Sequence, residues 1–130
     1  MGQPAAKEND QIVGTDTHIV MIPVGSGTVP TPLPHPFTGL LDGKLSSDVF
    51  ISGMAAAVKG STATNTPAHI PQGGPFQSPP SDKGEIITGS SSVYFNGSPA
   101  ARNGDTAQTC NDPSDAPVGS VIATGTVFIG

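Results

Sequence analysis

Val93-Tyr94-Phe95-Asn96-Gly97, running on into Ser98-Pro99-Ala100-Ala101-Arg102-Asn103-Gly104, decides the fold, because the chain returns to it. A short β-branched or aromatic run closed by Gly reads as a strand entering a turn. The same run stands earlier as Val49-Phe50-Ile51-Ser52-Gly53 and later as Val127-Phe128-Ile129-Gly130. The earlier copy continues in parallel as Met54-Ala55-Ala56-Ala57-Val58-Lys59-Gly60. The last copy reaches the end of the chain, and its continuation stands at the other end as Pro4-Ala5-Ala6-Lys7-Glu8-Asn9-Asp10. Read circularly, the sequence holds three copies of one unit. The expectation is a mainly β body with approximate three-fold symmetry and adjacent termini.

No stretch of eleven or more residues carries a 3.6 period. Thr38 to Ser47 is expected to make at most a helical turn, interrupted at Gly43. Two proline-rich segments, Pro23 to Pro36 and Pro67 to Pro80, read as long loops, which in a small domain are functional or held by something.

Residues 1–130 read as one domain with a thin core. The aromatic fraction is 5% with no Trp, while Gly 17 and Pro 14 fill much of the chain. Only 12% of residues are charged, which argues against a disordered coil. Small bodies of this kind lean on a metal, a disulfide or a partner, and a single cysteine excludes an internal disulfide. The net charge is −5, and the five Lys and Arg are scattered, so a nucleic-acid partner is not expected. The sequence has no 18-residue apolar run and no secretory leader. Synthesis in the cytoplasm follows, with any export by another route.

The chain has three histidines and one cysteine: His18, His35, His69 and Cys110. Together they are the donor set of one tetrahedral zinc site. Their spacing matches no zinc finger. His35 and His69 lie in the proline-rich segments, so one ion would pin segments with little apolar surface of their own. His18 and Cys110 each follow a copy of the repeat and read as equivalent positions. Asp16 is a candidate acceptor for a ligand imidazole, although an Asp in a loop turn is the reading favoured. Arg102 and Asp105 either pair across the turn, or Arg102 meets a partner. The apolar runs serve either as core or as a base that extends a partner's β-structure.

Pro99-Ala100-Ala101-Arg102-Asn103-Gly104-Asp105 resembles the motif of the PAAR-repeat proteins, and Pro4-Ala5-Ala6-Lys7 and Ala55-Ala56-Ala57-Val58 resemble further, degenerate copies. The resemblance implies a small cone that caps the trimeric β-helical spike of a contractile injection system, such as type VI secretion or phage-tail-like particles. It implies one copy per trimer, zinc near the apex on three His and one Cys, and delivery out of the cell on the spike. Contact with the target membrane would be transient. Only one of three copies has Arg, and the middle copy lacks Pro, so an imperfectly symmetric base is expected. No fused toxin domain is expected. Three functions follow. The leading one is a structural tip for membrane puncture. The second is an adaptor that docks effectors, with Pro71 to Pro80 as a candidate surface. The third is a zinc hydrolase, disfavoured because Cys110 closes the site and no HExxH or GxSxG is present.

Overall fold

Each copy of the Ala-Ala unit leads into an antiparallel hairpin, and the three hairpins close on one another. The computed structural model describes residues 2–130. The barrel hairpins are β2 (Gln11–Val24) with β3 (Gly27–Gly43), β6 (Thr62–Asn65) with β7 (Lys83–Ile86), and β10 (Thr106–Thr109) with β11 (Ala116–Ile122). They form a closed barrel in the order β10-β11-β2-β3-β6-β7. At the end where the hairpins begin and finish lie three two-stranded ribbons. These pair β4 (Phe50–Ile51) with β5 (Met54–Ala55), β8 (Tyr94–Phe95) with β9 (Ser98–Pro99), and β12 (Phe128–Ile129) with β1 (Gln3–Pro4). The last pairing joins the two ends of the chain, with Gln3 opposite Ile129. No helix occurs among the described residues. The β class, the three-fold pattern and the joined termini read from the sequence are all present.

The symmetry is written in backbone hydrogen bonds. Ala6 N donates to Ala101 O at 2.9 Å, Ala101 N to Ala57 O at 3.0 Å, and Ala57 N to Ala6 O at 3.0 Å, which closes a ring. All three alanines are fully buried, so only a methyl group is accommodated at this junction. Beyond the ring, three side chains close the turns at equivalent positions. Asp10 accepts from Lys7 N at 3.0 Å, Ser61 from Val58 N at 3.0 Å, and Asp105 from Arg102 N at 2.7 Å. The expected imperfection is confined to side chains. Arg102 pairs with Asp105 at 2.9 Å and donates to the Gly130 carbonyl at 3.0 Å. Lys7 pairs with Asp10 at 3.2 Å and donates to the Thr124 carbonyl. Val58 makes no such pair, yet its backbone follows the same path.

The core has two parts. Ile12, Ala63 and Ala107 on the outgoing strands meet Leu41, Ile86 and Val121 on the returning strands, with Phe37 above them. Nearer the base, Ile51 and Ile129 pack on Ala5, Ala56 and Ala100, joined by Val49, Val93 and Phe95. Phe37 fills the barrel beside two glycines, Gly39 and Gly84. A Cβ at Gly84 would lie 3.1 Å from its ring.

Two sequence expectations fail here. Pro23 to Pro36 is not a loop: it forms the outer arms of the long β2–β3 hairpin, and Thr38 to Gly43 continues β3 rather than turning as a helix. The prolines explain why a strand survives. Pro30, Pro32, Pro34 and Pro36 oppose Met21, Ile19, Thr17 and Thr15, every second register position. In an antiparallel pair such positions point both backbone groups away from the partner strand. Each proline thus removes an N–H only from the open edge, where no ladder bond is lost. The opposite edge is covered. Thr17 N, Ile19 N and Met21 N donate to Asn111, Asp112 and the Pro75 carbonyl. Part of the second segment read as a loop is therefore laid against β2, with Phe76 bridged to Val20.

Candidate metal centre

Strand alternation carries the site. Along β2, Ile12, Asp16, His18 and Val20 are buried while Thr15 and Thr17 are exposed. On β3, His35 and Phe37 face inward between exposed prolines. His69 comes from the β6–β7 connection, and Cys110 directly follows β10. All three hairpin units thus send residues to one point at the far end from the ribbons.

The three imidazoles pack together. Their ring centres lie 4.9 Å apart for His18 and His69, 5.5 Å for His18 and His35, and 5.4 Å for His35 and His69. Cys110 Sγ is 3.6 Å from His18 Nε2. His35 Nδ1 donates to the Leu33 carbonyl at 3.0 Å, which leaves its Nε2 a lone pair that is buried without a partner. His18 Nδ1, 3.6 Å from Asp112 Oδ2, is also buried without a hydrogen bond. Buried polar nitrogens without partners are costly. His18 turns its other nitrogen, Nε2, to the Cys110 thiol, and nitrogen and sulfur donors suit a borderline-soft divalent ion. The residues fit a metal ion.

Asp16 is the residue that sequence reasoning undervalued. It is no loop Asp: it sits within β2 and is fully buried. Its Oδ2 lies 2.8 Å from His69 Nε2, 3.4 Å from Cys110 Sγ and 3.9 Å from His18 Nε2. Its Oδ1 accepts from Thr109 Oγ1 and from Asn111 Nδ2. Asp16, His18, His69 and Cys110 make up one group of donors all within 4.8 Å of one another. His35, expected as a ligand, is not one of that group, although its ring centre lies 5.5 Å from that of His18 and 5.4 Å from that of His69. The signal for Asp16 was present: Asp16-Thr17-His18 puts an acid and a base on one strand face. The supposed equivalence of His18 and Cys110 does not hold in register. Asp10 matches Asp105, so Cys110 corresponds to Thr15.

Burial, reinforced by the Asp16 carboxylate, pushes the Cys110 thiol up to about 12. Burial also lowers the His18 imidazole, against the pull of Asp112 and Asp16. A cation entering must displace the thiol proton, since the thiolate is the ligand. Asn65 holds the His69 side. Its Oδ1 accepts from Thr38 N at 2.9 Å and its Nδ2 lies 3.2 Å from His69 Nδ1. Asp82 accepts from His69 N at 2.9 Å. A cleft of about 400 Å³ opens beside His35 and His69, lined among others by Pro34, Pro67 and Ile70.

A three-fold barrel whose turns are closed by Ala-Ala units, with a His/Cys cluster at its far end, defines a class. Residues 76–130 match the family model described as the PAAR motif. The match covers the last two-fifths of the chain and supports a PAAR-repeat protein, a family whose context is the spike of contractile injection systems. No curated protein matches the chain. Among the described residues, no helix is long and apolar enough to cross a membrane.

Proposed function

We propose that the chain caps a trimeric β-helical spike, one copy per trimer, and that zinc held by His18, His35, His69 and Cys110 stiffens the opposite end for membrane puncture. The carrying observation is the ribbon end of the barrel. Each ribbon exposes an aromatic side chain at the same position: Phe50 at 59%, Tyr94 at 54% and Phe128 at 61%. A surface that repeats three times around one axis is complementary to a partner with a three-fold axis. Exposed aromatics in such a patch are the residues that anchor interfaces.

The far end supports the other half of the reading. Between Asp16 and Asp42, and again between Lys59 and Asp82, there is no Asp, Glu, Lys or Arg. The hairpin arms and the segment laid against them therefore meet an apolar phase with little charge to desolvate. Zinc joining three hairpin units there supplies stiffness that the thin core does not.

A catalytic zinc is disfavoured. The cleft beside His69 is lined by no carboxylate, and Asp16 faces the cluster. Effector docking keeps one favourable observation, the 65% exposure of Ile70 at the rim of that cleft.

The test is to mix the protein with its cognate trimeric spike and measure stoichiometry. One chain per trimer is expected. Replacing Phe50, Tyr94 and Phe128 together by Ser is expected to weaken binding by at least about 30-fold, about 2 kcal/mol. Absence of binding by the unaltered chain would contradict the proposal.

A further inference from the structure

The bridges Ala5–Arg102, Lys7–Ala56 and Val58–Ala100 mark three gaps between neighbouring units at the ribbon end, and the gaps are not alike. In the first, Arg102 pairs with Asp105, and both Arg102 and Ser90 Oγ donate to the Gly130 carbonyl, at 3.0 and 2.7 Å. In the second, Lys7 pairs with Asp10 and donates to the Thr124 carbonyl. In the third, Val58 and Ser61 stand where the others have a base and an acid. A cavity of about 250 Å³ remains there, between the lead-in to β4 and the β8–β9 ribbon. Lys44, Ser46, Val58 and Asn96 are among its lining residues, and no carboxylate lines it.

The closed first gap shows what the open one lacks. Ser46 is the counterpart of Ser90: each takes the N–H of the first residue of its apolar run, Val49 at 3.0 Å or Val93 at 2.9 Å. Ser90 passes its own proton to an oxygen across the gap. Among the described residues, the Ser46 hydroxyl donates to none, and Lys44 pairs with no carboxylate. Lys44 also holds a left-handed backbone, φ 52°, which its counterparts Thr88 and Ile122 do not. The Ser61 hydroxyl holds the Lys44 carbonyl at 2.9 Å. Strain of this kind persists where the surroundings fix it, and it gathers at functional positions. A cation entering the cavity would meet Lys44 and no acid, which is costly. An oxygen anion would receive the Lys44 ammonium and the Ser46 hydroxyl, as the Gly130 oxygen receives Arg102 and Ser90. Resting on the cap reading above, we propose that this cavity takes the carboxylate of an Asp or Glu side chain from one chain of the trimeric spike. The three spike chains offer the same side chain, but only one meets an open gap. The other two meet bases already paired with Asp105 and Asp10. Phe95 in the cavity wall adjoins Tyr94, so the cavity continues the surface of exposed aromatics.

Binding of the cognate spike to the full chain, measured across salt concentrations, tests this. Lys44→Asn removes the charge and supplies a residue that tolerates a left-handed backbone. It is expected to keep or raise the Tm. Spike binding is expected to weaken by about 10-fold, with a shallower salt dependence. Lys83→Gln removes the same charge from β7 and is expected to leave binding unchanged. The Asp and Glu residues at the capped end of the spike are replaced one at a time by Asn or Gln. One of them is expected to match the loss at Lys44 and to add nothing when combined with Lys44→Asn. If Lys44→Asn binds as tightly as the unaltered chain, or no more weakly than Lys83→Gln, the proposal is overturned while the cap reading stands. A loss at Lys44 that no spike carboxylate reproduces assigns the cavity to another anion and also overturns it. If the unaltered chain does not bind the spike, both readings fall.

Discussion

At the residue scale, scarcity and spacing carry different information. The histidines and the cysteine were legible because the chain has no others, and the structure gathers them at one end of the barrel. Asp16 was hidden among ten acidic residues, and only its burial and strand face single it out. The Arg102–Asp105 pair also changes meaning once burial is known. Asp105 is 4% exposed and accepts from Arg102 N, the guanidinium and Thr88 Oγ1. Asp105→Ala strands those donors and is expected to cost about 1–3 kcal/mol in denaturant unfolding. Ser61→Ala removes two neutral bonds, one accepted from Val58 N and one donated to the Lys44 carbonyl, and is expected to cost less, about 1 kcal/mol. Equal costs would argue against the charge-assisted role of Asp105.

At the element scale, the β2–β3 hairpin shows why proline misleads a reading by composition. Proline ordinarily ends a strand, so a segment holding Pro30, Pro32, Pro34 and Pro36 suggested a loop. Their period of two places every missing N–H on the open edge. The two kinds of position are expected to respond oppositely. Pro32→Thr leaves folding intact but gives the edge a donor, and such edges associate. Light scattering is expected to show concentration-dependent self-association. Thr31→Pro removes an N–H on the side facing Val20 and is expected to destabilise by about 3 kcal/mol. If Thr31→Pro is neutral, the assignment of edges is wrong. Phe37 supplies the bulk of the upper core, and Phe37→Ala is expected to cost about 3–5 kcal/mol in the same unfolding measurement.

At the scale of the whole molecule, the repeat was legible because each copy keeps its apolar run, glycine and small residues. The lengths between copies were not: the β2–β3 unit runs far past the barrel, while β10–β11 turns back soon. That inequality serves the proposed cap. The symmetric end presents three matching aromatics, and the asymmetric end brings unequal hairpins to one cluster. A structural zinc contributes about 10–16 kcal/mol of apparent binding free energy, against a net stability of about 5–15 kcal/mol for a typical domain. The decisive measurement is thermal unfolding of the full chain, with bound metal quantified, before and after chelation. One zinc per chain and a Tm lowered by more than about 20 °C on its removal is the predicted result. A chain that carries no metal, or melts at the same temperature without it, contradicts a tip stiffened by zinc.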